Sequence, residues 1–224
     1  MKALMPDRIF MKNYTHIIWD FNGTILDDIQ IGIDSINCLL RKRGISPIES
    51  TEHYRSLFGF PIIDYYKRLG FDFDSESYDD VAVEWVEQYN SRRRKATVHG
   101  DVKRLLDKFK EENIKQLIIS ATERNMLSEQ IDELGLSKYF DEILGIDDIK
   151  ATSKTHVAVE WREEHPDAIP LFIGDTDHDM DTARAMGAEC ALVACGHQSY
   201  DYLNTLGCTV YRNMDDLYRD LFGN

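Results

Sequence analysis

The sequence predicts an α/β fold, a doubly wound and mostly parallel sheet with an inserted all-helical cap. Three observations carry the prediction. The β-prone run Ile17-Ile18-Trp19 stops at Asp20, and Gly23 soon lets the chain turn without a Cβ penalty. Residues 27–97 then show apolar positions at helical spacing and no strand pattern. From Val98 onward, short apolar runs alternate with amphipathic segments. Such alternation implies right-handed crossovers and a sheet covered on both faces. The expected division is therefore a core of residues 1–26 and 98–224 and a helical cap of residues 27–97.

In the cap, Ile29, Ile33, Ile36 and Leu40 recur at helical spacing after Asp28. Arg41, Lys42 and Arg43 make a cationic last turn before the Gly44 stop. Ser50 or Thr51 caps a short helix leading to Leu57 and Phe58. Pro61 is placed to start a helix that ends at Gly70. Val81, Trp85, Val86 and Tyr89 mark a long helix, closed by Arg92-Arg93-Arg94-Lys95 as a solvated terminus. In the second half Val102, Leu105, Leu106 and Phe109 mark a helix over 101–112. Strands are expected over 116–120, 142–146, 169–174 and 190–194, with a short one near 209–211. Helices over 123–134, 154–164, 179–186 and around 217–221 separate and close them.

At 224 residues the chain has room for one large domain, or a core with a smaller insertion. With 43% hydrophobic and 29% charged residues it should be globular. The formal net charge of −14 argues against a general nucleic-acid binder or a binder of anionic membranes, because long-range steering would be repulsive. No apolar run approaches the roughly 20 residues of a transmembrane helix, and Pro6, Asp7 and Arg8 make the opening residues a poor signal peptide. Cys38, Cys190, Cys195 and Cys208 show neither disulfide-framework nor zinc spacing. Four reduced thiols in a cytoplasmic protein, monomer or homodimer, are the expectation.

Four strand ends supply chemistry: Asp20 after the first strand, Ser120 after the second, Lys154 after the third and Asp175 after the fourth. Open sheets of this kind bind ligands at the carboxyl ends of their strands, so the four should share one crevice with the cap beside it. Each alone could be a turn cap or surface residue; their joint occurrence is hard to explain by capping. Gly174-Asp175-Thr176-Asp177-His178-Asp179 offers carboxylates at 175 and 179. A hard cation such as magnesium needs only one or two protein carboxylates, with water and phosphate completing its shell. His178 has no second His or Cys at ligand spacing and reads as a polar loop residue; Gly196-His197-Gln198 follows the fifth strand near the crevice, a plain loop by preference and a contact to substrate or cap as the alternative.

Asp20-Phe21-Asn22-Gly23-Thr24, Ser120, Lys154 and Gly174-Asp175 to Asp179, with Ala183 and Gly187 beyond, together resemble the four motifs of the haloacid-dehalogenase-like phosphohydrolases. The likeness is to the phosphoglycolate-phosphatase-like branch, which has a helical cap after the first motif. The resemblance implies a phosphatase of small phosphorylated metabolites with Asp20 as nucleophile. Ser120, Ala121, Gly23 and Thr24 would surround the phosphoryl group, and Lys154 would neutralise it, with Lys150 as fallback. Mg2+ would bind Asp20, the Asn22 carbonyl, Asp175 and Asp179. Arg55 would face the substrate from the cap. The chain departs from the family at Asn22, where these phosphatases carry a second Asp that protonates the leaving group. An amide cannot do so, and general acid–base catalysis is worth about 10²–10⁴-fold. The expectations are a slow phosphatase, an inactivated engineered variant or a phosphate-binding regulatory protein, with Asn22→Asp alone raising turnover at least tenfold. A receiver domain would not carry the long insertion after its acceptor strand, and a dehalogenase would not need the carboxylates at 175 and 179.

Overall fold

The computed structural model of the chain describes residues 13–147 and 153–223. Strand β1 (His16–Trp19) is followed by a two-residue strand, β2 (Leu26–Asp27), and four helices: α1 (Ile29–Lys42), α2 (Thr51–Leu57), α3 (Ile62–Leu69) and α4 (Tyr78–Asn90). A second two-residue strand, β3 (Thr97–Val98), pairs antiparallel with β2. The chain continues through α5 (Val102–Glu111), β4 (Lys115–Glu123), α6 (Arg124–Glu133), β5 (Glu142–Ile146), α7 (Thr155–Glu164) and β6 (Pro170–Gly174). Helix α8 (Asp177–Met186), β7 (Glu189–Val193), α9 (Tyr200–Leu203), β8 (Thr209–Tyr211) and α10 (Met214–Phe222) complete it.

Six strands form one sheet in the order β5-β4-β1-β6-β7-β8, every neighbouring pair parallel. A parallel sheet with helices on both faces buries each strand twice, so its strands read as unbroken apolar runs. Ile17, Ile18 and Trp19 are accordingly wholly buried. On one face Trp19 packs in a cluster with Leu105, Leu106, Phe109 and Leu127. On the other, Ile18 joins Ala158, Trp161, Phe172, Ala183 and Met186. Helices α1–α4 hold a cluster of their own around Ile36, Leu40, Tyr54, Tyr66 and Val81.

Register positions the site. Trp19 lies level with Ile118 on β4 and with Ile173 on β6, so the next residues along β1 and β6, Asp20 and Gly174, stand side by side. The structure departs from the sequence reading at several places: α4 ends at Asn90, so Arg92–Lys95 do not close it as a solvated terminus, and Arg92 and Arg93 are half-buried. Asp27 and Thr97 belong to the β2–β3 ribbon rather than to an all-helical stretch, and a strand of two residues is too short to show a period. Ser120 lies within β4 rather than at its tip, because the strand continues through an irregularity to Glu123. Pro6, Asp7, Arg8 and Lys150 lie outside the described residues.

Candidate active site

Asp20 leaves β1 with its backbone N–H still donating to the Ile173 carbonyl at 2.8 Å, which holds the residue in line with the sheet. Lys154 is the residue immediately before α7, and it is only 2% exposed. Its Nζ donates to Asp20 Oδ1 and, at 2.5 Å, to Asp179 Oδ1. Asp179 sits in the first turn of α8 as part of a capping box. Its Oδ2 accepts from the N–H groups of Asp175 and Thr176 at 3.0 and 2.8 Å and from Thr176 Oγ1 at 2.7 Å. Asp175 follows β6 directly and accepts from Thr24 Oγ1 at 2.9 Å and from the His197 N–H at 2.6 Å.

Three buried carboxylates therefore face one ammonium. One oxygen each of Asp20, Asp175 and Asp179 lies within 4.8 Å of the other two. Burial pushes the Asp20 carboxyl up to about 8 even against the pull of Lys154, with Asp179 adding repulsion. Burial, then the charge of Asp179, does the same to Asp175. For Asp179 burial also acts upward, but Lys154 and the Thr176 hydrogen bond outweigh it and hold the group below the usual carboxylate range. Burial opposes the charge on Lys154, and its two carboxylates more than compensate. A divalent cation with oxygen ligands fits this surplus of negative charge. Asp20 Oδ2 and the Asn22 carbonyl accept no hydrogen bond from the described residues. Both are open to an ion. Asp175 and Asp179 each have both oxygens engaged, and they stand with Asp20 as the three carboxylates close enough to share one ion, which Asp179 would reach directly or through water while anchoring Lys154 and the 175–176 backbone.

Asn22 is built into a closed network. Its Nδ2 donates to Asp28 Oδ2 at 2.7 Å and to the Tyr89 hydroxyl at 3.0 Å, while its Oδ1 accepts from Thr122 Oγ1 at 2.7 Å. Asp28 is 3% exposed and accepts further from the Gly23 N–H at 3.1 Å and the Tyr89 hydroxyl at 2.7 Å. His197 Nε2 approaches Asp28 Oδ1 to 3.7 Å. A carboxylate at 28 demands a donor at 22. The amide supplies it, and a carboxylate in its place would not. The expectation that Asn22→Asp alone speeds turnover is therefore opposed by Asp28.

The remaining sequence candidates divide. Ser120 and Ala121 line the same cavity as Asp20 and Lys154, a space of about 180 Å3. Ser120 Oγ donates to Thr122 Oγ1 at 3.1 Å and accepts from the Thr122 N–H at 3.2 Å. Thr24 and Gly23 do not line the cavity. The Thr24 hydroxyl is wholly buried against Asp175, and the Gly23 N–H is taken by Asp28. Gly23 is needed for another reason: its φ is +80°, and a Cβ there would lie 2.5 Å from Asp175 Oδ2. Arg55 is also corrected. Its guanidinium donates to the carbonyls of Gly196 and Cys195 at 2.9 and 3.0 Å, tying α2 to the loop after β7 instead of facing the cavity.

Sequence reasoning passed over Asp28, Tyr89 and Thr122 as site residues, whereas His197, set near the crevice with cap contact as the alternative to a plain loop, lines the cavity and bonds Tyr54 of the helical block. Asp28 and Thr122 carried a faint signal, being polar positions close to the first and second motifs; Tyr89 read as core. His178, expected in a loop, lies in α8, lines the cavity and stacks on Phe60 with ring centres 4.5 Å apart.

Residues 17–193 match the haloacid dehalogenase-like hydrolase family. Over 196 residues, 84% of this chain and 87% of the relative, the sequence is 23% identical to pyrophosphatase PpaX of Oceanobacillus iheyensis. Over 191 residues, 81% of this chain and 70% of the relative, it is 22% identical to phosphoglycolate phosphatase of Pseudomonas fluorescens. A haloacid dehalogenase-like hydrolase from Streptococcus pneumoniae superposes with a TM-score of 0.71 at 20% identity, covering 91% of this chain and 96% of that one. Protein Tyrosine Kinase A of Mycobacterium tuberculosis does so at 0.78 and 19%, covering 93% and 98%. The two solved structures show the fold.

Proposed function

Because the chain belongs to the haloacid dehalogenase-like hydrolase family, we propose that it is a Mg2+-dependent phosphohydrolase of small phosphorylated metabolites, working through an aspartyl-phosphate on Asp20. The observation that carries this reading is the convergence of Asp20, Lys154, Asp175 and Asp179 on one cavity. A phosphoryl group approaching Asp20 meets anionic repulsion, and Lys154 is placed to reduce it by bonding the nucleophile's Oδ1. Mg2+ held by Asp20, Asp175 and the Asn22 carbonyl would supply the further positive charge that lets two anions meet. Thr24 and the His197 N–H orient Asp175 for that task. Ser120, with the backbone at Ala121, is placed to hold phosphoryl oxygens.

Proton transfer is where this chain differs. Asn22 positions its neighbours and cannot protonate a leaving group, so turnover should be slow and best on leaving groups that depart without help. The closed hydrogen-bond network of Asn22 supports a natural amide rather than an engineered inactivation. Mg2+-dependent phosphate release from p-nitrophenyl phosphate tests the reading. Asp20→Ala should abolish it, and persistence of the activity in that variant, or its indifference to EDTA, would refute the mechanism.

A further inference from the structure

Resting on that reading of Asp20, we infer that the substrate is a monoester whose single phosphoryl group is joined to an uncharged, apolar body, an aromatic ring above all. The cavity has two chemically distinct ends. At the core end stand Lys154 and the carboxylates around it. The helical block lines the other with Tyr54, Phe58, Tyr65, Tyr66, Trp85 and Val86. Among the described residues, Lys154 is the single lysine or arginine in the lining, and the helical block contributes one carboxyl side chain, Asp28, and no amino or guanidinium group. Glu123 adds a second negative group beyond the Asp20 cluster.

The arginines near this end lie outside the cavity lining, and Arg93 pairs through Nη2 with Glu129 and Glu133. Arg55 binds the carbonyls of Cys195 and Gly196, Arg68 that of Leu57 at 2.8 Å, and Arg92 that of Gln88 at 2.7 Å. The imidazoles do not substitute for them. His178 stacks on Phe60 with ring centres 4.5 Å apart, and His197 is engaged by the Tyr54 hydroxyl at 2.9 Å. A carboxylate or second phosphate on the substrate would be desolvated against ring faces with only carboxylates near it, which is unfavourable. A ring would find partners spaced as these already are, Tyr54 to Phe58 at 5.2 Å and Trp85 to Tyr89 at 5.1 Å between centres. Phosphoglycolate and pyrophosphate each carry a second anionic group beyond the phosphoryl that would meet Asp20, and this lining disfavours it.

The test compares kcat/KM of the full chain with Mg2+ on 2-phenylethyl phosphate, ethyl phosphate, 2-phosphoglycolate and pyrophosphate. The first two share a primary-alcohol leaving group, so their ratio isolates the ring. The expected ratio is at least tenfold in favour of the ring, expressed in KM, with both anionic substrates below ethyl phosphate. Trp85→Leu should shrink that ratio. Calorimetry with 2-phenylethylphosphonate and phosphonoacetate reads the same preference without turnover. Preference for 2-phosphoglycolate, pyrophosphate or phosphonoacetate overturns the inference. If neither these substrates nor p-nitrophenyl phosphate is hydrolysed while the phenylethylphosphonate still binds at least tenfold tighter than phosphonoacetate, the hydrolase reading fails and the apolar subsite stands. If neither phosphonate binds, both fall.

Discussion

Replacing Asn22 by Asp sets two carboxylates in the geometry now held by an amide and a carboxylate. Asn22 Nδ2 and Asp28 Oδ2 are 2.7 Å apart. At that distance two unit charges repel by about 6 kcal/mol for an effective dielectric of ~20. Protonating a carboxylate at pH 7 instead costs about 4 kcal/mol, taking ~1.4 kcal/mol for each unit above an ordinary pKa near 4. Protonation is cheaper, so the pair should share one proton at neutral pH and titrate as a unit. A group whose pKa is raised on folding contributes stability that is present at low pH and lost as pH rises through the folded value. Relative to the parent, Asn22→Asp should thus be nearly neutral near pH 4.5 and cost about 3 kcal/mol at pH 7.

Adding Asp28→Asn reverses the arrangement without losing it. The new amide at 28 can donate to a carboxylate at 22 and still accept from the Gly23 N–H. Stability should return to within about 1 kcal/mol of the parent, while turnover of an alkyl phosphate rises at least tenfold as the acid–base carboxylate is regained. Urea unfolding of the parent, both single variants and the double variant at pH 4.5 and 7 measures the coupling as a thermodynamic cycle. An Asn22→Asp variant as stable as the parent at both pH values, or a double variant no better than the single one, would refute the reasoning.

Other expectations follow from the same geometry. With EDTA present, the upward-shifted Asp20 and Asp175, both near 8, should make the melting temperature fall as pH rises from 6 to 8, because the folded state binds the extra protons. Mg2+ should reverse that trend and release protons into a weakly buffered solution; a pH-independent melting temperature in EDTA would contradict it. Gly196→Ala puts a Cβ 2.0 Å from Asp175 Oδ2 and 2.5 Å from the Gly23 carbonyl. The displaced carboxylate should cost about a hundredfold in kcat/KM and about 1–3 kcal/mol in urea unfolding. Arg55→Ala removes both carbonyl contacts of the 195–196 loop and should lower kcat/KM alike for ethyl phosphate and 2-phosphoglycolate. A loss confined to 2-phosphoglycolate would restore Arg55 as a substrate contact.

Most of the sheet and of the charged cluster could be read from the residues, because both depend on local pattern. The runs ending at Trp19 and Gly174 are apolar on both faces, which is what central parallel strands require, and a carboxylate after each is conspicuous. The ribbon of β2 and β3 was not readable, since two-residue strands take their identity from a partner about seventy residues away. Arg55 was misread for a related reason. An arginine beside a cavity can satisfy its guanidinium on substrate or on backbone, and the choice depends on where the 195–196 carbonyls point.

Asn22 is the instructive case. Taken alone, an amide where an acid is expected argues for lost catalysis, and the sequence argument treated it so. In the fold, Asp28 arrives beside it because Gly23 turns the chain at φ +80° and donates its own N–H to Asp28 Oδ1. A carboxyl group thus stands one hydrogen bond from position 22, and Tyr89 from α4 and Thr122 from β4 satisfy the remaining valences. A random loss of an acid would leave position 22 free to drift among small polar residues. A three-way hydrogen-bonded amide does not allow that. Asn22→Ala should strand Asp28 and Tyr89 as under-bonded buried groups and cost about 1–3 kcal/mol, although an inactive position in a slow enzyme would tolerate the change.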